Sequence, residues 1–233
     1  MDLMKYFAYG SNCNPAILAN KRVEFKSRAR GTLRGYRMRF NKKALRERLP
    51  EGIGFANIEA DPDGVVEGIV YDVVDEHVCR LDESERYPDH YTRITITVET
   101  PSGFEECQAY QAQPDKVADG LVPSRNYLNH ILAAHDFLSK QYYQALDQSQ
   151  TYTGECACCD YRGEVLFLIE NERTHTLCQP CREAKGIWGD TRGRKLTVAE
   201  AQAVTAFITD SGKAFHSIQS LIEAAVKQRV IDP

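Results

Sequence analysis

At 233 residues, with 42% hydrophobic and 27% charged side chains, the chain has the composition of a globular protein, long enough for one large domain or one of about 150 residues with an appendage. That balance and a net charge of −4 exclude a disordered chain, and no apolar stretch is long enough to span a bilayer. The opening Met1-Asp2-Leu3-Met4-Lys5 carries an acid where a signal peptide would be basic, so a cytoplasmic location is expected.

The first expected element is an apolar strand over 3–9 that breaks at Tyr9-Gly10-Ser11-Asn12, just before Asn14-Pro15. Asn14 suits an N-cap and Pro15 the first turn of a helix over 14–20. A strand, turn and helix junction of this kind gathers main-chain N–H groups into a cradle for a carboxylate or for the oxygen of a reacting amide, although an ordinary βα turn has the same pattern. Residues 21–48 then carry twelve Lys and Arg against Glu24 and Glu47, a local charge of +10. A solvated strand face, a funnel for an anionic substrate and a nucleic-acid patch all fit. Arginines alternating with Leu33, Tyr36, Met38 and Phe40 favour the first.

Further strands are expected at 30–40, 53–59, 65–73, 91–99 and 105–111, and helices at 75–86 and 124–146. Strands dominate and helices are irregularly spaced, so an α+β fold, a small mixed barrel with packed helices, fits better than a doubly wound sheet. In the helix over 75–86, Glu85 falls about 20° from Val78 and about 40° from Leu81, whereas Glu83 falls about 140° from Val78. Glu85 therefore lies on the apolar stripe and Glu83 in solvent. Burial, and Asp82 one turn earlier, would make such an acid hold its proton, as proton transfer requires. The same position also suits a helix-ending acid paired with Arg86 or Arg93.

Beyond residue 147 the polar stretch Asp147-Gln148-Ser149-Gln150-Thr151 leads to two CxxC pairs, Cys156 with Cys159 and Cys178 with Cys181, separated by 18 residues. Thiolates two residues apart can curl around one tetrahedral ion. Four of them close its coordination, so one structural zinc on Cys156, Cys159, Cys178 and Cys181 is expected, in a zinc ribbon over 152–190 whose strands lie between Arg162 and His175. Cys158 is a spare that could replace a neighbouring ligand, and His175 has the character of a surface residue. Two disulfides or a redox CxxC is the competing reading. A helical pair over 196–230 opens at the Thr197-Val198-Ala199-Glu200 capping box and divides near Ser211-Gly212. Its apolar stripes, Val198 to Ile208 and Phe215 to Ala225, suit packing on each other or on the rest of the chain, or a face for a second copy or a protein partner.

Three segments in order resemble the gamma-glutamylcyclotransferase, or AIG2-like, family: the YGSN turn at 9–12, Leu81-Asp82-Glu83-Ser84-Glu85 as its LDxxE segment, and Pro123-Ser124-Arg125-Asn126-Tyr127-Leu128 as its PSxxYL segment. The resemblance extends over residues 3–147 and implies an α+β barrel-like catalytic domain, 1–147, ahead of the ribbon and helices. It implies that Glu85 is the catalytic acid and base. Tyr9, Gly10, Ser11 and Asn12 would hold the substrate or its oxyanion, and Tyr127 would supply a hydroxyl, where without the family a buried core tyrosine serves equally well. The implied reaction is attack of a substrate's own α-amine on its γ-glutamyl carbonyl, releasing 5-oxoproline and an amine from a small γ-glutamyl amine or peptide, with no cofactor or metal in the chemistry. Two positions depart from the family. Arg86 stands where Gly is common and could pair with Glu85, and Cys13 stands where an apolar residue is common, as a packing residue or a reactive thiol. The alternative function is a binding adaptor, whose ribbon contacts nucleic acid or protein and whose first domain is an inactive platform. The intact Glu85 and YGSN turn argue against it, and neither nucleic acid nor membrane is an expected partner.

Overall fold

The computed structural model describes residues 3–44, 49–157, 162–170, 173–179 and 181, and the chain divides into a unit ending at Gln150 and one beginning at Thr151. The first unit contains strands β1 (Leu3–Ala8), β2 (Phe25–Lys43), β3 (Gly54–Val74), β4 (Tyr91–Thr100) and β5 (Gly103–Ala112). They close a barrel in the order β1-β3-β2-β4-β5. β1 runs antiparallel to β3, with Phe7 opposite Val70, and meets β5 in parallel at Tyr6 and Gln108, which completes the ring. Helices α1 (Pro15–Asn20), α2 (Val78–Glu85), α3 (Arg125–Leu132) and α4 (Lys140–Asp147) pack around it. This is the α+β barrel expected from the sequence. No helix among the described residues is long and apolar enough to cross a membrane.

Strand alternation builds the interior: Ile96 and Val98 are buried while Thr95 and Thr97 face out. Phe7, Leu33, Ile58, Ile69 and Tyr71 join them in one core, to which α2 adds Leu81 and α3 adds Leu128 and Ile131. Burying each such side chain contributes about 1.5–3 kcal/mol. Three arginines of β2 reach acids, Arg34 to Glu99 on β4, Arg37 to Glu59 and Asp61 on β3, and Arg39 to Glu59 and to Asp119 in the segment before α3, consistent with a solvated strand face.

β2 begins five residues before and ends three after the strand expected at 30–40, and two further elements are divided differently. The segments 53–59 and 65–73 form a single strand, because β2 pairs with both: Arg34 lies opposite Val65 and Tyr36 opposite Ala60, so the Asp61-Pro62-Asp63-Gly64 turn signal becomes a bulge. Gly64 is required there, since a Cβ would stand 2.3 Å from the Tyr36 carbonyl oxygen. The helix expected over 124–146 is broken between α3 and α4. Glu67 accepts from both the Ser139 N–H (2.6 Å) and its Oγ (2.7 Å), and Ser139 then caps α4 through the Tyr142 N–H (3.2 Å).

Among its described residues, the second unit holds two hairpins, β6 (Thr153–Glu155) with β7 (Arg162–Glu164) and β8 (Leu166–Glu170) with β9 (Arg173–Leu177). Strands therefore occupy the segment expected to form the ribbon. Cys158, Cys159 and the helical pair over 196–230 lie outside the described residues.

Candidate active site

The turn after β1 forms as its residues require. Ser11–Cys13 make one turn of 3-10 helix, the Cys13 N–H donates to the Gly10 carbonyl (2.9 Å), and Asn14 Oδ1 accepts from the Ala16 N–H (3.0 Å) to cap α1. Leu81 fixes the inner face of α2 at zero exposure and so turns Glu85, one helical turn on, towards this junction. Ser124 caps α3 by accepting from the Tyr127 N–H (3.2 Å) and aims the Tyr127 ring at the same place. The outcome is a small cleft lined by Tyr6, Tyr9, Gly10, Ser11, Asn12, Ala56, Glu85, Tyr91, Tyr110 and Tyr127. All six residues expected to carry chemistry or bind substrate in the first domain line it.

Their individual roles differ in detail from expectation. Glu85 is 18% exposed at its side chain, and its Oε1 accepts from Asn12 Nδ2 (3.0 Å) and from Lys21 Nζ (3.0 Å). Asn12 therefore spends its amide on the protein: Nδ2 also donates to Tyr6 Oη (2.8 Å), and Oδ1 accepts from Lys21 Nζ (2.8 Å). Neither Arg86 nor Arg93 is the partner of Glu85. Arg86 ends α2 in a left-handed conformation (φ 52°), exposed, and Arg93 Nε reaches Asp82 Oδ1 at 3.4 Å. Asp82 also accepts from Tyr110 Oη (2.7 Å), so its charge is engaged by neighbours while Glu85 faces a cation.

The Tyr127 hydroxyl accepts from the Ala56 N–H (3.1 Å) and draws on the Ser11 main chain, which fixes its oxygen at the wall of the cleft. A Cβ on Gly10 would stand 2.8 Å from that oxygen, so only glycine lets the turn approach the ring. Burial pushes the hydroxyls of Tyr6, Tyr9, Tyr91, Tyr110 and Tyr127 above the ordinary phenol range, so all five stay protonated, and Tyr9 donates to the Tyr110 carbonyl, Tyr91 to the Ala56 carbonyl and Tyr110 to Asp82. Cys13 is a packing residue. Its thiol is fully buried, donates to the Ala8 carbonyl (3.2 Å), and is pushed by burial up to about 12.

Sequence reasoning missed Lys21, Tyr6, Tyr91 and Tyr110. The available signal was tyrosine at inward strand positions, where a phenol needs a polar partner for its tip. Lys42 is a further unexpected feature. It is 4% exposed, donates Nζ to the Lys43 carbonyl (2.8 Å), lies 5.4 Å above the Tyr91 ring, and has no carboxylate paired with it among the described residues. Burial pushes its ammonium down to about 8; Glu85 opposes that shift, while Arg86, Lys116 and Lys43 add to it. Between about pH 8 and the ordinary 10.5, the unfolded chain holds a proton at this site that the folded chain lacks, so Lys42 favours folding increasingly as pH rises through that window. Thermal unfolding of wild type and Lys42→Met should therefore diverge in favour of wild type across it, by on the order of 1 kcal/mol per pH unit. A pH-independent difference would contradict this.

In the second unit, Cys156, Cys178 and Cys181 are buried and their sulfurs lie within 4.8 Å of one another. The Ala157 N–H donates to the Thr176 carbonyl (2.6 Å), which holds the loop of Cys156 against β9, the strand that leads to Cys178. As thiolates, three soft ligands this close would need a cation among them, and their spacing suits a tetrahedral thiolate site. His175 is on β9 opposite Leu168 and is not part of this cluster.

A closed five-stranded barrel that presents a carboxylate to a YGSN turn defines a cyclotransferase-type fold, and solved structures share it. The chain is 25% identical to an uncharacterized protein from Homo sapiens, with a TM-score of 0.56, covering 66% of this chain and 94% of that one. It is 23% identical to a gamma-glutamyl cyclotransferase, with a TM-score of 0.56, covering 66% and 93%, and 22% identical to YkqA from Bacillus subtilis, with a TM-score of 0.56, covering 65% and 57%. No curated protein matches the sequence. The profile of the family described as gamma-glutamyl cyclotransferase, AIG2-like, matches residues 6–129, and the chain belongs to that family.

Proposed function

We propose that the protein cleaves γ-glutamyl amides by cyclisation, with Glu85 as the proton carrier. The observation behind this reading is a partly buried carboxylate that shares a small cleft with the main chain of residues 9–12 and the Tyr127 hydroxyl. Glu85 takes a proton from the substrate's α-ammonium. The freed amine attacks the γ-carbonyl carbon, a C–N bond forms, and the carbonyl oxygen becomes an oxyanion, for which the turn and the Tyr127 hydroxyl offer donors. The original amide C–N bond then breaks as Glu85 returns its proton to the departing nitrogen, and the attacking nitrogen gives up its second proton through Glu85 to the released amine, which leaves as its ammonium. The products are 5-oxoproline and a free amine; no water, cofactor or metal is consumed. Gly10 and Ser11 contribute through their main chain, Tyr9 by walling the cleft, and Asn12 by holding Glu85.

Purified protein incubated with a panel of γ-glutamyl amines and peptides should release 5-oxoproline, followed by mass spectrometry. No product from any member would overturn the reading and leave the adaptor alternative.

The second unit we read as a structural zinc module, with Cys156, Cys178 and Cys181 as ligands and Cys159, outside the described residues, as the fourth. It would tie the two hairpins together without entering the chemistry, and a reducing compartment such as the cytoplasm would keep its thiols available. Protein purified reduced and free of chelator should carry about one zinc per chain, and Cys178→Ser about tenfold less under the same dialysis. Equal zinc in both would rule out this ligand set.

A further inference from the structure

Glu85 uses only one of its two carboxylate oxygens on the protein. Oε1 receives Asn12 Nδ2 and Lys21 Nζ, each at 3.0 Å, and among the described residues no hydrogen bond reaches Oε2. Lys21 also grips Asn12 Oδ1 at 2.8 Å, so the three side chains form a closed triangle in which each fixes the other two. The reach of Lys21 is built into the end of α1. Its N–H donates to the Ile17 carbonyl (3.1 Å), the Arg22 N–H to Ala19 (2.9 Å), and the Val23 N–H to Leu18 (2.9 Å), with Arg22 in a left-handed conformation (φ 56°) and Val23 buried. An arginine held at positive φ costs free energy, and the Arg80 guanidinium on α2 donates to the Arg22 carbonyl, so the two helix ends are locked together.

We propose that Lys21 is a positioning residue for the Glu85 base: with Asn12 it immobilises Oε1 and leaves Oε2 as the oxygen that takes and returns the proton. The inference rests on the cyclisation reading above and assigns the working atom of that same site. Lys21 is not among the residues that line the cleft. Its removal frees the carboxylate to rotate, which affects the chemical step more than substrate capture, and misplacement of a reacting group by about 1 Å can cost about a hundredfold in rate.

The test is steady-state kinetics of wild type, Lys21→Met, Lys21→Gln and Lys21→Arg on the best substrate of the panel, with thermal unfolding run alongside. Lys21→Met should lose about tenfold to a hundredfold in kcat with KM within about twofold, and Lys21→Arg, which keeps a cationic donor, should recover most of that loss. Should Lys21→Met fail to fold, Lys21→Gln, which keeps a donor for Asn12 without the charge, carries the same expectation. Wild-type kcat in the methionine and glutamine variants, a change confined to KM, or an arginine variant as impaired as methionine would overturn the assignment while leaving the cyclisation reading intact. An inactive wild type would instead remove the reading itself, and this assignment with it.

Discussion

Glu85→Gln should lower 5-oxoproline formation about 10²- to 10⁴-fold, the range that a positioned acid and base supplies. The amide keeps an oxygen for Asn12 and Lys21 but cannot take a proton from the α-ammonium or return one to the leaving amine. Stability should fall moderately. The Lys21–Glu85 pair is only about one fifth exposed at both side chains, and glutamine leaves the Lys21 ammonium without its counter-charge, so about 1–3 kcal/mol should be lost while the variant still folds. A folded variant with wild-type turnover would remove Glu85 from the mechanism.

The largest effect on stability is expected from Phe7→Ala. Phe7 has zero exposure, and its ring fills the barrel against Gly31 and Gly68, where added Cβ atoms would stand 2.9 and 3.1 Å from it. Truncation opens a cavity that the closed ring of strands cannot collapse around, so about 3–5 kcal/mol should be lost, or roughly 6–20 °C of midpoint for a unit of this size. Calorimetry of the full chain reads this directly, and a shift under about 2 °C would mean that the barrel repacks. Gly31→Ala, whose Cβ would also stand 2.9 Å from Val70 and Val98, should destabilise for the opposite reason, overpacking.

Much of the site was legible because it depends on local periodicity. The position of Glu85 on α2 follows from Val78 and Leu81, and the caps of α1 and α3 follow from Asn14 and Ser124. What stayed hidden depends on contacts distant in sequence. Lys21 reaches Glu85 across 64 residues, by a flexible side chain that no pattern can aim. Asp82 looked like a repelling neighbour, but Arg93 of β4 and Tyr110 of β5 engage it, which could be known only once those strands lay beside α2. In the fold, inward and outward alternation made the strands readable. The Asp61–Gly64 bulge was not, because whether a turn signal ends a strand depends on the partner strand continuing past it.

A similar irregularity lies beneath the cleft. Phe40 and Asn41 of β2 stand opposite the single residue Ala56 of β3, so Ala56 falls out of the ladder. Its N–H goes to the Tyr127 hydroxyl, and its carbonyl accepts from Tyr91 Oη (3.1 Å). A hairpin straightened for greater robustness would take both groups back into regular pairing and strip two phenols of their anchor. In this barrel the flaw in the weave is the socket, and engineering that mends it should harden the scaffold and blunt the proposed activity together.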